Sequence, residues 1–577
     1  MSREAQAVLG RDRGAAPLVD RSQPLDDHFD LVVIGAGIAG VHIAREAAVR
    51  GHSVLVLDKG DFGSGTSSGT TKYLHGGIRY LEQRDVAVVR ESLRERRIMA
   101  LAAPHLVEPM PFLLPVWRWS KPGRLLIGAG ALVYSALAFD RNRDTPPDLR
   151  IGRPRWLGRA EVAKQVPWIE TADLLGAIVV HDVQNIHPER LLMALLRDAV
   201  ALGAVARNHA EVTGFRRASD GTINGVVVLD QAAGDAMTVT ARRVVNAAGP
   251  WMAKVLGHLD QPVGPLVSPS KGVHLLTPER GAAVAVMARG RSGRHVIVSP
   301  WQQRNLIGPS DTPVDAGPDE VAVAPDDVEI VLGIVNECRS EHNQLVRTDV
   351  DDVTLGVRPL VRNPGDPGNT DTYASSRRHQ VVDHAADGAA GLWSVIGGKW
   401  TTGRAIAEDV MAEVFGARDV GRRSPTRSRP VAGVHRFGSP PPDILDVHDP
   451  TIEDLGLSSD VMRHVRRCYG NDAAAVFGLA RSKPSLAERV SERPGCFDIA
   501  AQVVFAVAAE GALRLSDVLD RRLVLGTLGQ VPDDEIRRVS ELAAGPAGWS
   551  DNGQAEYRAE VARRSAIRSS WSGAVER

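Results

Sequence analysis

Three glycines spaced Gly35-x-Gly37-x-x-Gly40 stand between an apolar run, Asp30 to Gly35 (DLVVIG), and a helix-compatible stretch reaching about Arg50. A second apolar run, Ser53 to Asp58 (SVLVLD), ends on an acid 23 residues after Gly35. This spacing suits dinucleotide binding. Gly35 permits a tight turn, Gly37 lets the backbone approach a pyrophosphate, and Gly40 lets the helix pack closely on the strand. The helix N-terminus, entered at Ile38, offers free N–H groups and a positive dipole end to phosphates. Asp58 is placed to accept a ribose hydroxyl hydrogen bond.

The motif alone does not separate FAD from NAD. Phe62 to Tyr80 (FGSGTSSGTTKYLHGGIRY) follows the second strand and is dense in Gly, Ser and Thr. Its hydroxyls and amides, those of Thr66, Ser67, Lys72, Gly76 and Gly77 among them, suit a flavin and its phosphates. Asn246 to Trp251 (NAAGPW) adds a strand running into a glycine turn at Ala248 and Gly249. Together these favour FAD.

Strand, helix and strand make a βαβ start, and two later runs, Arg243 to Ala248 and Leu392 to Gly397, read as strands returning to the same sheet. The fold class expected is α/β. A Rossmann-like FAD-binding domain (about 29–75, 240–255 and 385–420) carries an inserted mixed-sheet substrate domain (about 76–240 and 255–385). Residues 421–445, rich in Arg, Ser and Pro, read as a linker. A C-terminal all-α domain follows over 446–545, with helices at Asp460 to Tyr469, Asn471 to Leu479, Phe497 to Ala512 and Ser516 to Leu525. Residues 1–28 read as a disordered tail with no signal-peptide h-region, and 546–577 as a polar tail.

A chain of 577 residues is too long for one core. Its 69 basic and 70 acidic residues leave a formal charge of -1, so no global field attracts nucleic acid. Cys338, Cys468 and Cys496 are widely separated, which argues against disulfides and metal sites and fits a reducing, cytoplasmic setting. Leu125 to Phe139 (LLIGAGALVYSALAF) is apolar for fifteen residues between Arg118, Lys121 and Arg124 on one side and Arg141 and Arg143 on the other. It is too short to span a bilayer, which takes ~20 residues. Two readings remain: a buried helix, or an interfacial helix with snorkelling flanks.

The chain resembles the flavin-dependent (aerobic) glycerol-3-phosphate dehydrogenases. The likeness runs through VVIGAGIAG, TSSGTTKYLHGGIRYLE (66–82), NAAGPW, KGVH (271–274), GVRPL (356–360), SRRH (376–379), GGKWTTGR (397–404) and AAEGALRLSDVLDRR (508–522), in family order over about 29–530. It implies oxidation of sn-glycerol 3-phosphate to dihydroxyacetone phosphate by hydride transfer from C2 to flavin N5. Electrons then pass to a quinone, in a homodimer peripheral on the inner face of the cytoplasmic membrane. Gly398, Thr401 and Thr402 join the flavin contacts. Arg358 and Lys399 fall nearest the reacting carbon, where a cation lowers the hydroxyl's pKa, and His75 is the candidate base. Arg79, Tyr80, His274, Asp311 and Arg377 are implied substrate contacts, since a phosphate dianion calls for several cationic donors. The chain departs from the family at Thr70-Thr71, His187-Pro188-Glu189-Arg190, Pro309-Ser310 and Gly403. These departures leave open a different polyol phosphate, or oxygen as acceptor. A non-catalytic flavin-binding protein is the reading from another class.

Overall fold

The computed structural model describes residues 17–22, 25, 28–278, 282–362, 378–416, 423–438, 453–547, 555 and 559. Its first sheet has six strands, ordered Gln380–Asp383, Leu392–Ile396, Val244–Asn246, Leu31–Ile34, Val54–Leu57 and Val205–Arg207. All neighbours are parallel except the first pair. LVVI and VLVL are wholly buried, as strands of a sheet covered on both faces must be. On one face lies helix α1 (Ile38–Val49), packed against helices Pro188–Ala201 and Gly403–Phe415. On the other, Val32 and Leu55 share a core with a small sheet built from Ala210–Arg217, Ile223–Asp230 and Asp235–Ala241.

The domain boundary therefore differs from the sequence reading. Residues 188–239, expected in the inserted domain, lie with the nucleotide sheet. The inserted part is a mixed ten-stranded sheet whose long members include Val107–Trp117, Leu174–Asn185 and Val267–Thr277. Helix α2 (Val86–Ala102) and helix α3 (Arg124–Leu137) flank it. A separate helical core gathers Ser459–Tyr469, Ala473–Ser482, Ala500–Ala508 and Asp533–Ala547.

Two expected loose segments are anchored. Described residues 423–438 of the supposed linker strap the back of α1: Ser424 and Thr426 donate to Glu46, and Arg429 to Asp198 at 2.9 Å. Residues 17–22 of the supposed tail dock on the helical domain, the Leu18 amide donating to Ala509 at 2.9 Å. Residues 1–16, 23–24 and 26–27 of that tail, residues 421–422 and 439–445 of the linker, and the C-terminal tail beyond 547 (apart from 555 and 559) lie outside the described residues.

The Leu125 to Phe139 segment is not a buried helix. Ala131 and Tyr134 of α3 face inward, while Leu125, Leu126, Leu132, Val133 and the following Phe139 are exposed, Leu125 at 89%. Among the described residues no helix is long and apolar enough to cross a membrane. The three cysteines are free and buried.

Candidate active site

One cavity of about 630 Å³ runs from the nucleotide sheet into the inserted domain, within the ~300–1,000 Å³ range of cofactor and ligand pockets. Its first end is the glycine turn. Gly35 has φ +97°, and a Cβ on it would lie 2.7 Å from the Ala247 carbonyl oxygen. A Cβ on Gly40 would lie 1.8 Å from the Gly35 oxygen, so helix and strand touch only because both residues are bare. Asp58 accepts from the amides of Ala36 at 2.8 Å and Gly60 at 2.9 Å, which ties the turn to the second strand. Ser67 accepts from the Ile38 amide at 2.9 Å, at the N-terminus of α1. The loop carrying Thr66 lies against the inserted sheet: a Cβ on Gly69 would meet the Leu355 oxygen at 2.4 Å, and Thr66 donates to the Val357 carbonyl.

At the far end the cavity is lined by His75, Arg79, Tyr80, His274, Asp311, Arg358 and Lys399. The His75 loop is fixed from behind. The His75 amide donates to Thr401 at 3.2 Å and the Gly76 amide to Asp182 at 3.0 Å. Asp182 also accepts from Arg96 and from Tyr134 of α3. Lys399 stands 4.6 Å above the Tyr80 ring and donates to Ser92 of α2, and Arg79 lies 5.6 Å from that ring. The Arg358 guanidinium donates to Ser310 O at 3.0 Å, Lys271 O and Ser270 Oγ at 3.3 Å, and Asp311 at 3.4 Å. His274 contacts Thr71 Oγ1 at 3.1 Å.

Burial pushes His75 down to about 4, against Asp182, and Lys399, Arg79 and Arg96 push the same way. Burial also takes His274 to about 3, helped by Arg358 and Lys72, and His295 to about 3, helped by Arg79 and Arg289. All three are neutral at neutral pH. Unfolded, each would titrate near ~6.5. Their contribution to stability is thus fully present above ~6.5 and is lost as pH falls toward the folded values. Melting midpoints should drop by about 5 °C or more between pH 6.5 and pH 4; a flat profile would contradict this.

Most of the residues expected to bind cofactor line the cavity, including Gly35, Gly37, Ile38, Asp58, Thr66, Ser67, Gly77, Ala248, Gly249 and Gly398. Five do not. Gly40, Gly76, Thr401 and Thr402 shape it from behind. Lys72 is engaged in a buried ion pair with Glu189 at 2.6 Å. Arg377 lies outside the described residues. Sequence reasoning missed Asp182 and His295, which line the cavity without a local motif, Ser92, which accepts from Lys399 behind it, and four lining residues of the helical domain: Arg514, Ser516, Asp517 and Arg521. Of the departures, Glu189 and Arg190 serve structural pairs, Arg190 with Glu510 at 2.7 Å, and Gly403 packs on His42. Thr70, Thr71 and Pro309 reach the cavity.

A glycine turn before a helix, an acid ending the next strand, and a cavity passing from there into an inserted mixed sheet define an FAD-dependent oxidoreductase. Residues 30–412 match the family described as FAD dependent oxidoreductase, and residues 424–554 the C-terminal domain of alpha-glycerophosphate oxidase. The glycerol-3-phosphate dehydrogenase of Synechocystis sp. is 33% identical over 513 residues, 86% of this chain and 89% of that protein. Glycerol-3-phosphate dehydrogenase 2 of Mycobacterium tuberculosis is 33% identical over 549 residues, 93% and 88% of the two chains. The fold is that of the Bacillus halodurans glycerol-3-phosphate dehydrogenase solved with FAD, with a TM-score of 0.74, 24% identity and coverage of 97% and 98%. The chain belongs to the glycerol-3-phosphate dehydrogenase family of FAD-dependent oxidoreductases.

Proposed function

We propose that the protein oxidises sn-glycerol 3-phosphate to dihydroxyacetone phosphate at FAD and delivers the electrons to a quinone at a membrane surface. The observation that carries this reading is the convergence of Arg79, Arg358 and Lys399 with a neutral His75 on the cavity that begins at the glycine turn. When bound, FAD supplies N5 as acceptor of the hydride leaving C2. The chain's own residues do the rest. Arg79 holds the phosphate, whose charge approaches two negative units, and Lys399 stands toward the C2 hydroxyl. The phosphate charge offsets Lys399 and Arg79, two of the three cations that add to burial in depressing His75, so substrate arrival raises its basicity where the C2 hydroxyl must lose a proton. Arg358, fixed by four acceptors, stabilises negative charge developing on the C2 oxygen. Anaerobic mixing with sn-glycerol 3-phosphate should bleach the flavin's visible band at submillimolar substrate. A yellow protein that stays oxidised would send the search to another polyol phosphate, and stoichiometric peroxide in air would replace quinone by oxygen.

The membrane half of the proposal rests on α3. Its outward leucines form an apolar face beside Arg118, Lys121, Arg124, Arg141 and Arg143, a pattern that suits an anionic phospholipid surface. Leu125→Glu with Leu132→Glu should abolish co-sedimentation with anionic vesicles and leave flavin reduction by substrate intact. Unchanged sedimentation would remove α3 from the interface.

A further inference from the structure

The helical domain contributes to a cavity that its distance in sequence from the glycine motif gives no reason to expect. The nucleotide end is bounded by Asp58, Lys59, Gly60 and Asp61, where a ribose is held in this fold class. Arg514, Ser516, Asp517 and Arg521 line that same cavity. We propose that the helical domain is part of the FAD site, closing its nucleotide end, with the Ser516 hydroxyl in direct contact with the ADP half. The proposal rests on the FAD assignment and extends it to a domain with no part in the nucleotide motif.

The turn that carries Ser516 is held in place. Asp517 accepts from the amides of Leu513 and Arg514 and from His209 Nε2, each at 2.9 Å. Arg521 donates to Asp517 at 2.7 Å and to Asp61 at 2.6 Å, and Arg522 donates to both Asp61 oxygens at 2.8 and 2.9 Å. Burial alone would raise the Asp61 carboxyl, but Arg522 and Arg521 hold it well below the usual carboxylate range. Asp61, His209 and Asp517 bring ligand atoms within 4.8 Å of one another. The two guanidiniums already bring the positive charge a cation would supply, so the cluster acts as a latch. It joins the loop beyond Asp58 to the helical domain.

Within this framework Ser516 is the free group. It is 2% exposed, lines the cavity, and its hydroxyl has no hydrogen-bond partner among the described residues. Its hydroxyl lies at the cavity wall, open to an acceptor on the ligand. Beside it Arg514, on the exposed rim, donates to Gln231 at 3.0 Å, and Gln231 donates to the Lys59 carbonyl at 3.2 Å. The rim is bridged across the mouth of this end.

The test compares FAD with flavin mononucleotide, which lacks the adenylate, on full-length apo-protein by flavin fluorescence quenching. Ser516→Ala should raise the FAD dissociation constant about tenfold and leave that for flavin mononucleotide unchanged. An unchanged FAD constant, or an equal loss for both flavins, would overturn the contact. If Ser516→Ala does not fold, Arg514→Ala at the exposed rim replaces it, with the same selective loss expected and the same two results overturning the proposal.

Discussion

Arg358→Ala should lower kcat/KM for sn-glycerol 3-phosphate by about three orders of magnitude while the protein stays yellow. The size follows from where the guanidinium is fixed. Two backbone carbonyls, Ser310 and Lys271, and two side chains, Ser270 and Asp311, take its donors, so it is held without reorganisation beside the cavity. The room is tailored to it: a Cβ on Gly272 would lie 2.1 Å from Arg358 Nη2. Removing a fixed donor from a developing oxyanion costs ~10²–10³ in rate, and truncation also strips Asp311 of a cationic neighbour. Arg358→Lys keeps the charge but loses the planar fork, and should fall between. Because the interaction strengthens as charge develops, kcat should drop more than KM rises. A kcat within threefold of the unmodified enzyme would remove Arg358 from the chemistry.

Gly40→Ala should yield a colourless protein. The added Cβ would sit 1.8 Å from the Gly35 oxygen and 3.3 Å from Val33 Cγ1. Backbone is the obstacle, so no rotamer change relieves it, and α1 must lift from the strand. That moves the Ile38 amide and the turn at Gly37, where a pyrophosphate needs close approach. Flavin affinity should fall about 100-fold or more, on the order of 3 kcal/mol. The ratio of flavin to protein absorbance in the purified protein reads it directly. Gly130→Ala in α3 is the matched control. Nothing lies within 4 Å of its added Cβ, and alanine there should leave flavin content unchanged while gaining ~0.5–1 kcal/mol of stability. A yellow Gly40→Ala protein would show that the turn tolerates what the geometry forbids.

Much of this was legible in the sequence where the signal is local. Turn, helix and acid-ended strand lie within thirty residues, and the runs around Val244 and Leu392 announce buried strands by composition. The cationic end was legible only through the family resemblance, because Arg79, Arg358 and Lys399 meet through tertiary structure alone. The Arg-Ser-Pro segment misled in a physical way. Its composition matches a solvated linker, yet Arg427 and Arg429 are engaged by Glu408 and Asp198, so their charge marks docking. Lys72 has a partner that its loop does not announce, a buried glutamate more than a hundred residues away. For α3, fifteen apolar residues could not say which face is covered, and Tyr134 reaching Asp182 decides it.

The latch at Asp61 also constrains the order of assembly. The carboxylate meets Arg521 and Arg522 about 460 residues further along the chain. Synthesis delivers the glycine turn long before these arginines. Until they leave the ribosome, the nascent nucleotide domain holds an acid that lacks its guanidinium partners, and removing one partner of a buried ion pair costs ~3–5 kcal/mol. The nucleotide end of the fold is therefore completed only after the helical domain has been made, and its closing is a long-range event in the assembly of this chain.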